Sequence, residues 1–411
     1  MKVYIETYGC RANHYDSETV RAMVVRGGGT VVASSDDADV AVFNSCTVTA
    51  EAERDLRKGI RRAQRTGRPL QTLVMGCMSS GADAGLARLG VDHLMPGADF
   101  PRIAEALALP ASSLGTASTQ QGARALLRIQ DGCDAHCTFC ATTLARGANR
   151  SRPAADLVTE ATELALHHPE IVLTGVHIGT WGHDLGASLG DLVAQLVAEV
   201  PRVRFRLSSI EATEVDATLA ELLQNPDRVA PHLHAPLQSG SDAILRRMGR
   251  HWYSADTYAR AITRIVAGRG TFGLGADLIA GFPGETEADH AATVALVRDL
   301  PFTYLHVFPW SPRPGTAAER LSGRVDVACA QERALELREL GAERRAAYSI
   351  SRDGTDADVV AVRGDRPEGL TGDYLAVRLE GARLPRGSRA RMRLQATASG
   401  LVASSLVPSV A

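Results

Sequence analysis

The 411-residue sequence contains no run of apolar residues long enough to span a bilayer, which argues against a membrane role. Its first residues, Met1-Lys2-Val3-Tyr4-Ile5-Glu6, read as a short strand without a signal-peptide h-region, so a cytoplasmic protein is expected. Net charge is nearly absent, at −2, and any nucleic-acid partner must therefore be met by local positive charge. An even cysteine set is also missing. Seven cysteines in a long chain without a secretion signal argue against a disulfide framework and for reduced thiols that bind metal or do chemistry. No solenoid-type repeat occurs. What remains, 45% hydrophobic and 22% charged residues, is the balance of a globular protein of two or three domains.

Three regions separate along the chain. Residues 1–109 alternate short apolar strands with helical stretches, the pattern of a Rossmann-like α/β layer. The run 110–122, rich in Ser, Thr, Gly and Gln, has the composition of a surface linker. Between 123 and 348 the expected strands are Leu126–Gln130, Ile171–Val176, Arg204–Ser208, His232–Leu237, Gly273–Ile279 and Tyr304–Phe308. Helical patterns such as Ala154–His167 and Glu287–Asp299 separate them, so a partial (βα)6 barrel is expected, with its active loops at the C-terminal strand edge. An amphipathic helix from Cys329 to about Ala347 closes this region. The tail, 352–411, has short strands at Val359–Val362, Tyr374–Leu379 and Arg389–Leu394 punctuated by Gly, Pro and Asp, and reads as a small β-barrel.

The cysteines divide three, three and one. Cys133-x-x-x-Cys137-x-x-Cys140 follows a barrel-type strand. Three thiolates hold three irons of a 4Fe-4S cubane and leave the fourth open to an external ligand. The competing reading is a structural zinc site, which normally wants a closed shell of four ligands. Cys10, Cys46 and Cys77 are separated by 36 and 31 residues and share no spacing motif, yet each ends an apolar strand. In a parallel sheet such strand ends lie side by side at the ligand-binding edge, so a second three-cysteine cluster site is expected there; the alternative is three buried core thiols. Cys329, in a helical run without a partner motif, reads as a core thiol.

Several motifs in order now carry a resemblance: Thr7-Tyr8-Gly9-Cys10-Arg11-Ala12-Asn13, Asn44-Ser45-Cys46-Thr47-Val48-Thr49, Gly76-Cys77, Gln130-Asp131-Gly132-Cys133, Leu173-Thr174-Gly175-Val176-His177, Leu207-Ser208-Ser209-Ile210-Glu211, Pro236-Leu237-Gln238-Ser239-Gly240-Ser241 and Gly281-Phe282-Pro283-Gly284-Glu285. Over nearly its whole length the chain resembles the methylthiotransferase family of radical S-adenosylmethionine enzymes. The resemblance implies an N-terminal methylthiotransferase domain, a radical barrel and a C-terminal RNA-binding TRAM barrel. It also implies two 4Fe-4S clusters and S-adenosyl-L-methionine as cofactors. One S-adenosylmethionine would methylate sulfur held at the N-terminal cluster; a second, cleaved at the Cys133/Cys137/Cys140 cluster, would give a 5′-deoxyadenosyl radical that removes the substrate hydrogen. Implied partners are the tRNA anticodon stem-loop, a sulfur donor, and an electron donor such as flavodoxin or ferredoxin. Within the family the chain most resembles the branch that methylthiolates N6-threonylcarbamoyladenosine at position 37 of tRNA. Branches acting on isopentenyladenosine or on a ribosomal-protein aspartate are the rivals; a non-catalytic metal-cluster RNA-binding protein is the alternative of another class. One departure stands out: Ala141-Thr142-Thr143-Leu144 replaces the usual Ile-Ile-Pro-aromatic stretch after the third cluster cysteine.

Further cofactor contacts are expected from Phe139, Gly175, Gln238, Ser239 and Gly281. Each has a plainer reading: hydrophobic cover for Phe139, tight turns for Gly175 and Gly281, and helix capping for Gln238 and Ser239. RNA contact is expected from Arg54, Arg57, Lys58, Arg61, Arg62, Arg65 and Arg68 after Cys46, from Arg146, Arg150 and Arg152, and from Arg383, Arg386, Arg389, Arg391 and Arg393 in the tail. A charge run of the first kind is more often a solvated helix face. The tail holds nine arginines against seven acids, so it is only slightly basic.

Overall fold

The computed structural model describes residues 1–46, 50–65, 67, 69–80, 84–363, 367–381 and 384–406. Thr47, Val48, Thr49, Arg68 and Arg383, named above, lie outside them.

Five strands open the chain: β1 (Lys2–Thr7), β2 (Thr30–Val32), β3 (Val40–Ser45), β4 (Gln71–Gly76) and β5 (His93–Pro96). They form one parallel sheet in the order β2-β1-β3-β4-β5. Strand β3, Val-Ala-Val-Phe-Asn-Ser, is buried along its whole length, as a central parallel strand covered on both faces must be. Helix Arg11–Arg26 packs Val20, Met23 and Val24 on one face with Val3, Val42 and Leu73. Helix Ala50–Gln64 packs Leu56 and Ile60 on the other with Phe43 and Val74. The strand order reverses at β1/β3, so the loops after those strands open a crevice at the C-terminal edge.

The central unit carries β6 (Ala125–Arg128), a two-stranded ribbon of β7 (Gln130–Asp131) and β8 (Arg150–Ser151), and then β9 (Glu170–Thr174), β10 (Arg204–Leu207), β11 (His232–His234), β12 (Gly273–Ala280) and β13 (Tyr304–Pro309). Parallel pairing gives β6-β9-β10 and β11-β12-β13, and a parallel bridge from Ser209 to His234 joins the two. The result is a six-stranded partial barrel in chain order. Helices Ala154–Ala165 and Glu287–Asp299 fall within a residue or two of their expected bounds. The closing helix is longer than its sequence pattern, Val327–Ser351, because Asp326 caps its start. Cys329 is half-buried on that helix rather than in a core.

The tail closes into a five-stranded barrel, β14 (Asp356–Arg363), β15 (Glu368–Thr371), β16 (Ala376–Glu380), β17 (Arg389–Thr397) and β18 (Gly400–Ser405). Strands β15 and β18 escape the sequence reading because they are short and rich in Gly, Thr and Ser. The 110–122 segment is strapped down rather than slack. Arg26 donates to the Ser113 carbonyl at 2.8 Å, and Gln120 both donates to the Leu126 carbonyl (2.7 Å) and accepts from the Leu126 N–H (2.8 Å).

Candidate active site

The C-terminal edges of the two α/β units face one cavity of about 650 Å³, and six of the seven cysteines line it. None of the seven is in a disulfide.

On the N-terminal side, Cys10, Cys46 and Cys77 follow β1, β3 and β4. Their approach is enforced by backbone. Gly9 has φ +112°, and a Cβ there would lie 2.5 Å from the Cys46 Cβ and 2.7 Å from its Sγ, so only glycine lets the two loops meet. Asn13, fully buried, donates to Asn44 Oδ1 and to the Ser45 carbonyl, both at 2.7 Å, while its own Oδ1 accepts from the Cys10 thiol at 3.1 Å. Burial, with Cys10 and Cys46 close by, pushes the Cys77 thiol up to about 11 against the pull of Arg146.

On the barrel side, the Cys133 loop is locked by Gln130. Its Oε1 accepts the N–H groups of Val176 (3.0 Å) and His177 (2.9 Å); its Nε2 donates to the Gly132 carbonyl (2.6 Å) and to Asn149 (2.7 Å). Gly132 has φ +73°, with the Ala148 carbonyl oxygen 1.8 Å from where a Cβ would sit. Each sulfur of this set receives a donor. The Ala135 N–H reaches Cys133 Sγ, the Thr142 N–H reaches Cys140 Sγ and Arg250 reaches Cys137 Sγ, all at 3.4 Å. Hydrogen bonds aimed at sulfur favour the thiolate and cluster-bound states. Burial still pushes Cys137 up to about 11, against the pull of Arg250. Arg250 is itself paired with Glu211. His177 contacts Cys133 Sγ through Nδ1 at 3.5 Å and Glu214 through Nε2 at 2.8 Å. Burial disfavours its charge, yet these two partners hold it up to about 10.

Arg146 joins the two sides. Its guanidinium donates to Cys77 Sγ (3.2 Å), to Asp131 (3.1 Å) and to the fully buried Asp16 of the first helix (2.8 Å). It is thus a buried strut, not the phosphate contact expected of it. Arg152 likewise is tied to Glu160 at 2.7 Å, which leaves Arg150 the exposed member of that trio. In helix Ala50–Gln64, Arg57 pairs with Glu53 and Lys58 with Asp55, while Arg62 reaches Glu6 on β1. Arg389 and Arg393 in the tail are paired with Asp358 and Asp356.

The remaining expected contacts divide. Phe139, Gly175 and Gln238 line the cavity. Gln238 does so at φ +65°, a conformation that costs of order 1–3 kcal/mol and is typically stored at functional sites. Ser239 and Gly281 do not line it. Ser239 Oγ is turned inward to the Ser241 N–H at 3.2 Å, supporting the serine that caps helix Asp242–Arg247. Gly281 has φ +73°, donates to Glu285 at 2.8 Å and lies so close to Ala330 that a Cβ would meet it at 2.3 Å.

A polar wall on the far side of the cavity escaped the sequence reading. Asp277 accepts from His234 Nε2 (3.0 Å) and His306 Nδ1 (3.3 Å), and Tyr304 Oη meets His234 Nδ1 at 2.9 Å. Burial would raise Asp277, but the two imidazoles hold it well below the carboxylate range. Tyr374, from the C-terminal barrel, completes this wall and touches Arg11, next to Cys10. Strand-end position alone could have flagged His234; Asp277 lies inside β12, and nothing local distinguishes it from a core residue.

The comparisons with known proteins agree with this geometry. Residues 2–95 match the model of an uncharacterized protein family, UPF0004, and residues 127–297 match the Radical SAM superfamily. The chain is 32% identical to the threonylcarbamoyladenosine tRNA methylthiotransferase MtaB of Aquifex aeolicus, over 93% of this chain and 97% of that protein. It is 32% identical to the tRNA-2-methylthio-N(6)-dimethylallyladenosine synthase of Sphingopyxis alaskensis, over 89% and 88%. Among solved structures, the radical S-adenosylmethionine methyltransferase TsrM from Kitasatospora setae shares the fold with a TM-score of 0.58 at 14% identity, over 77% of each chain. The chain belongs to the methylthiotransferase family of radical S-adenosylmethionine enzymes.

Proposed function

We propose that the protein methylthiolates N6-threonylcarbamoyladenosine beside the anticodon of tRNA, in the cytoplasm, using two iron–sulfur clusters. The observation that carries this reading is the convergence of two three-cysteine sets on one cavity. A donor set of three sulfurs with N–H groups aimed at them suits a cubane with one open iron and does not close a zinc shell. Cys133, Cys137 and Cys140 would hold the cluster that, fed one electron by an external donor, would supply reductive cleavage of S-adenosylmethionine with release of methionine. The second set, Cys10, Cys46 and Cys77, would hold the cluster that carries the sulfur.

The chain's own contribution is placement. Gln130 and Gly132 fix the Cys133 loop against the Gly175 turn, where the methionine end of the cofactor would lie. Phe139 packs edge-on to Phe282 at 6.3 Å and, with the buried barrel core, keeps water from a reactive species. Arg146 sets the separation of the two cysteine sets. The C-terminal barrel is proposed as a TRAM-type RNA module, its exposed Arg391 and, on β8 of the central unit, the exposed Arg150 giving phosphate affinity and salt dependence. The proposed domain bounds are 1–109, 123–348 and 352–411.

Anaerobic reconstitution tests this. About eight irons per chain are expected for two cubanes, with 5′-deoxyadenosine released on reduction and methylthio label in a threonylcarbamoyladenosine stem-loop. Cys133→Ala should abolish 5′-deoxyadenosine, whereas Cys46→Ala should spare some cofactor cleavage and end sulfur insertion. Equal loss of both products in both variants would contradict the division of labour. Nucleoside mass spectrometry of a deletion strain separates the tRNA target from the ribosomal-protein alternative.

A further inference from the structure

The three arginines that line the cavity are Arg11, Arg146 and Arg250. Arg146 is matched by Asp16 and Asp131, and Arg250 by Glu211. Among the described residues, no carboxylate pairs with Arg11; its guanidinium donates to the Tyr374 hydroxyl at 3.1 Å. Among the described residues, Arg11 is therefore the lining arginine left to receive an anion.

The Tyr374 end of that contact is built with care. Tyr374 has φ +70°, strained for a bulky residue. Its turn is pinned on every side. Arg206, buried and held by Glu170, donates to the Thr371 and Gly372 carbonyls at 3.1 and 2.9 Å. Asp373 accepts from Tyr348 (2.8 Å) and Arg352 (3.0 Å). The Tyr374 ring stacks on His232, with centroids 4.5 Å apart. The hydroxyl is thus delivered to Arg11 from the C-terminal barrel, and Arg11 shares the cavity with the polar wall of His234, Asp277, Tyr304 and His306.

We infer that Arg11, oriented by Tyr374, receives the carboxylate of the substrate's threonyl group and so selects the threonylcarbamoyl adenosine. This rests on the substrate reading given above. A guanidinium fork matches a carboxylate in a bidentate manner. The imidazoles and hydroxyl beside it suit the threonyl hydroxyl and the carbamoyl group. An isopentenyl substituent offers no acceptor and leaves this half-buried cation unmatched, which is discrimination by an unpaired polar group.

The test uses the reconstituted holoenzyme and synthetic anticodon stem-loops carrying threonylcarbamoyladenosine as the free acid or as its methyl ester. Native enzyme should favour the acid by roughly 10- to 100-fold in kcat/KM, the range of a hydrogen bond to a charged group. In Arg11→Gln the preference should collapse towards unity through loss on the acid. Arg11→Lys, which keeps charge without the fork, should retain part of it. Tyr374→Phe keeps the ring stack and removes only the hydroxyl; it should raise KM for the acid more than for the ester. Two results overturn the inference alone: equal use of acid and ester by native enzyme, or an Arg11→Gln loss equal on both, which would place Arg11 on a phosphate or the cofactor. Failure of native enzyme on both stem-loops, with turnover of an isopentenyladenosine stem-loop, would instead overturn the substrate reading and this inference with it.

Discussion

Glu170 gives the sharpest stability prediction, because one buried carboxylate at the start of β9 answers three guanidinium groups. It accepts from Arg204 at 2.6 and 2.7 Å, from Arg206 at 2.7 and 3.1 Å and from Arg124 at 3.3 Å. The Glu170, Arg204 and Arg206 side chains are all fully buried. Glu170→Gln keeps the shape but leaves buried cations without their counter-charge. Removing one partner of a buried ion pair costs about 3–5 kcal/mol. The lower end is expected, since Arg204 keeps Asp358 at 3.3 Å and Arg206 keeps the Gly372 carbonyl. With a urea m-value of about 3 kcal/mol/M, a loss of about 3 kcal/mol lowers the unfolding midpoint by about 1 M. The acid limb checks the same reasoning independently. Burial would raise the Glu170 pKa, but Arg206, Arg204 and Arg124 hold it well below the ordinary 4.5. A carboxylate depressed on folding contributes stability that is complete above its unfolded value and is lost as pH falls through the folded one. The gap between native and variant should therefore be constant above pH 4.5 and shrink below it. A midpoint shift equivalent to less than about 1 kcal/mol, or a gap that does not narrow in acid, would refute the reasoning.

Other outcomes follow from the site. Gly9→Ala places a Cβ against Cys46 at a φ of +112°, so bound iron should fall from about eight to about four per chain while 5′-deoxyadenosine release persists; unchanged iron would show that the loops can part. Gln130→Leu removes the hydrogen bonds that hold the Cys133 loop to the Gly175 turn, costing about 3 kcal/mol or more in total. It should lower cluster retention at the Cys133 set first, and retention at native levels with native cofactor cleavage would contradict the clamp.

The fold was legible where periodicity is strong. The six barrel strands and helix Glu287–Asp299 were readable because parallel strands are continuous apolar runs and surface helices are amphipathic. The tail strands Glu368–Thr371 and Gly400–Ser405 were not, since barrel closure rather than propensity holds them. Among charged residues the reading failed in one direction. Arg146 and Arg152 looked like phosphate contacts, yet Arg146 meets Asp16, 130 residues away, and Arg152 meets the Tyr15 hydroxyl, 137 residues away. Partners distant in sequence cannot be read from a charge run.

By itself the sequence singled out two sets of sulfurs: a Cys-x-x-x-Cys-x-x-Cys run after a strand and three cysteines each ending a strand. Ligand number and strand-end position are local properties, written in adjacent residues. Only the tertiary structure decided that both sets face one cavity, that Arg146 spans them, and that a tyrosine from the C-terminal barrel meets Arg11 beside the first cysteine. Those contacts join residues up to 363 positions apart. They exist because the two α/β units and the C-terminal barrel bring their loop edges together, and no local pattern encodes that meeting.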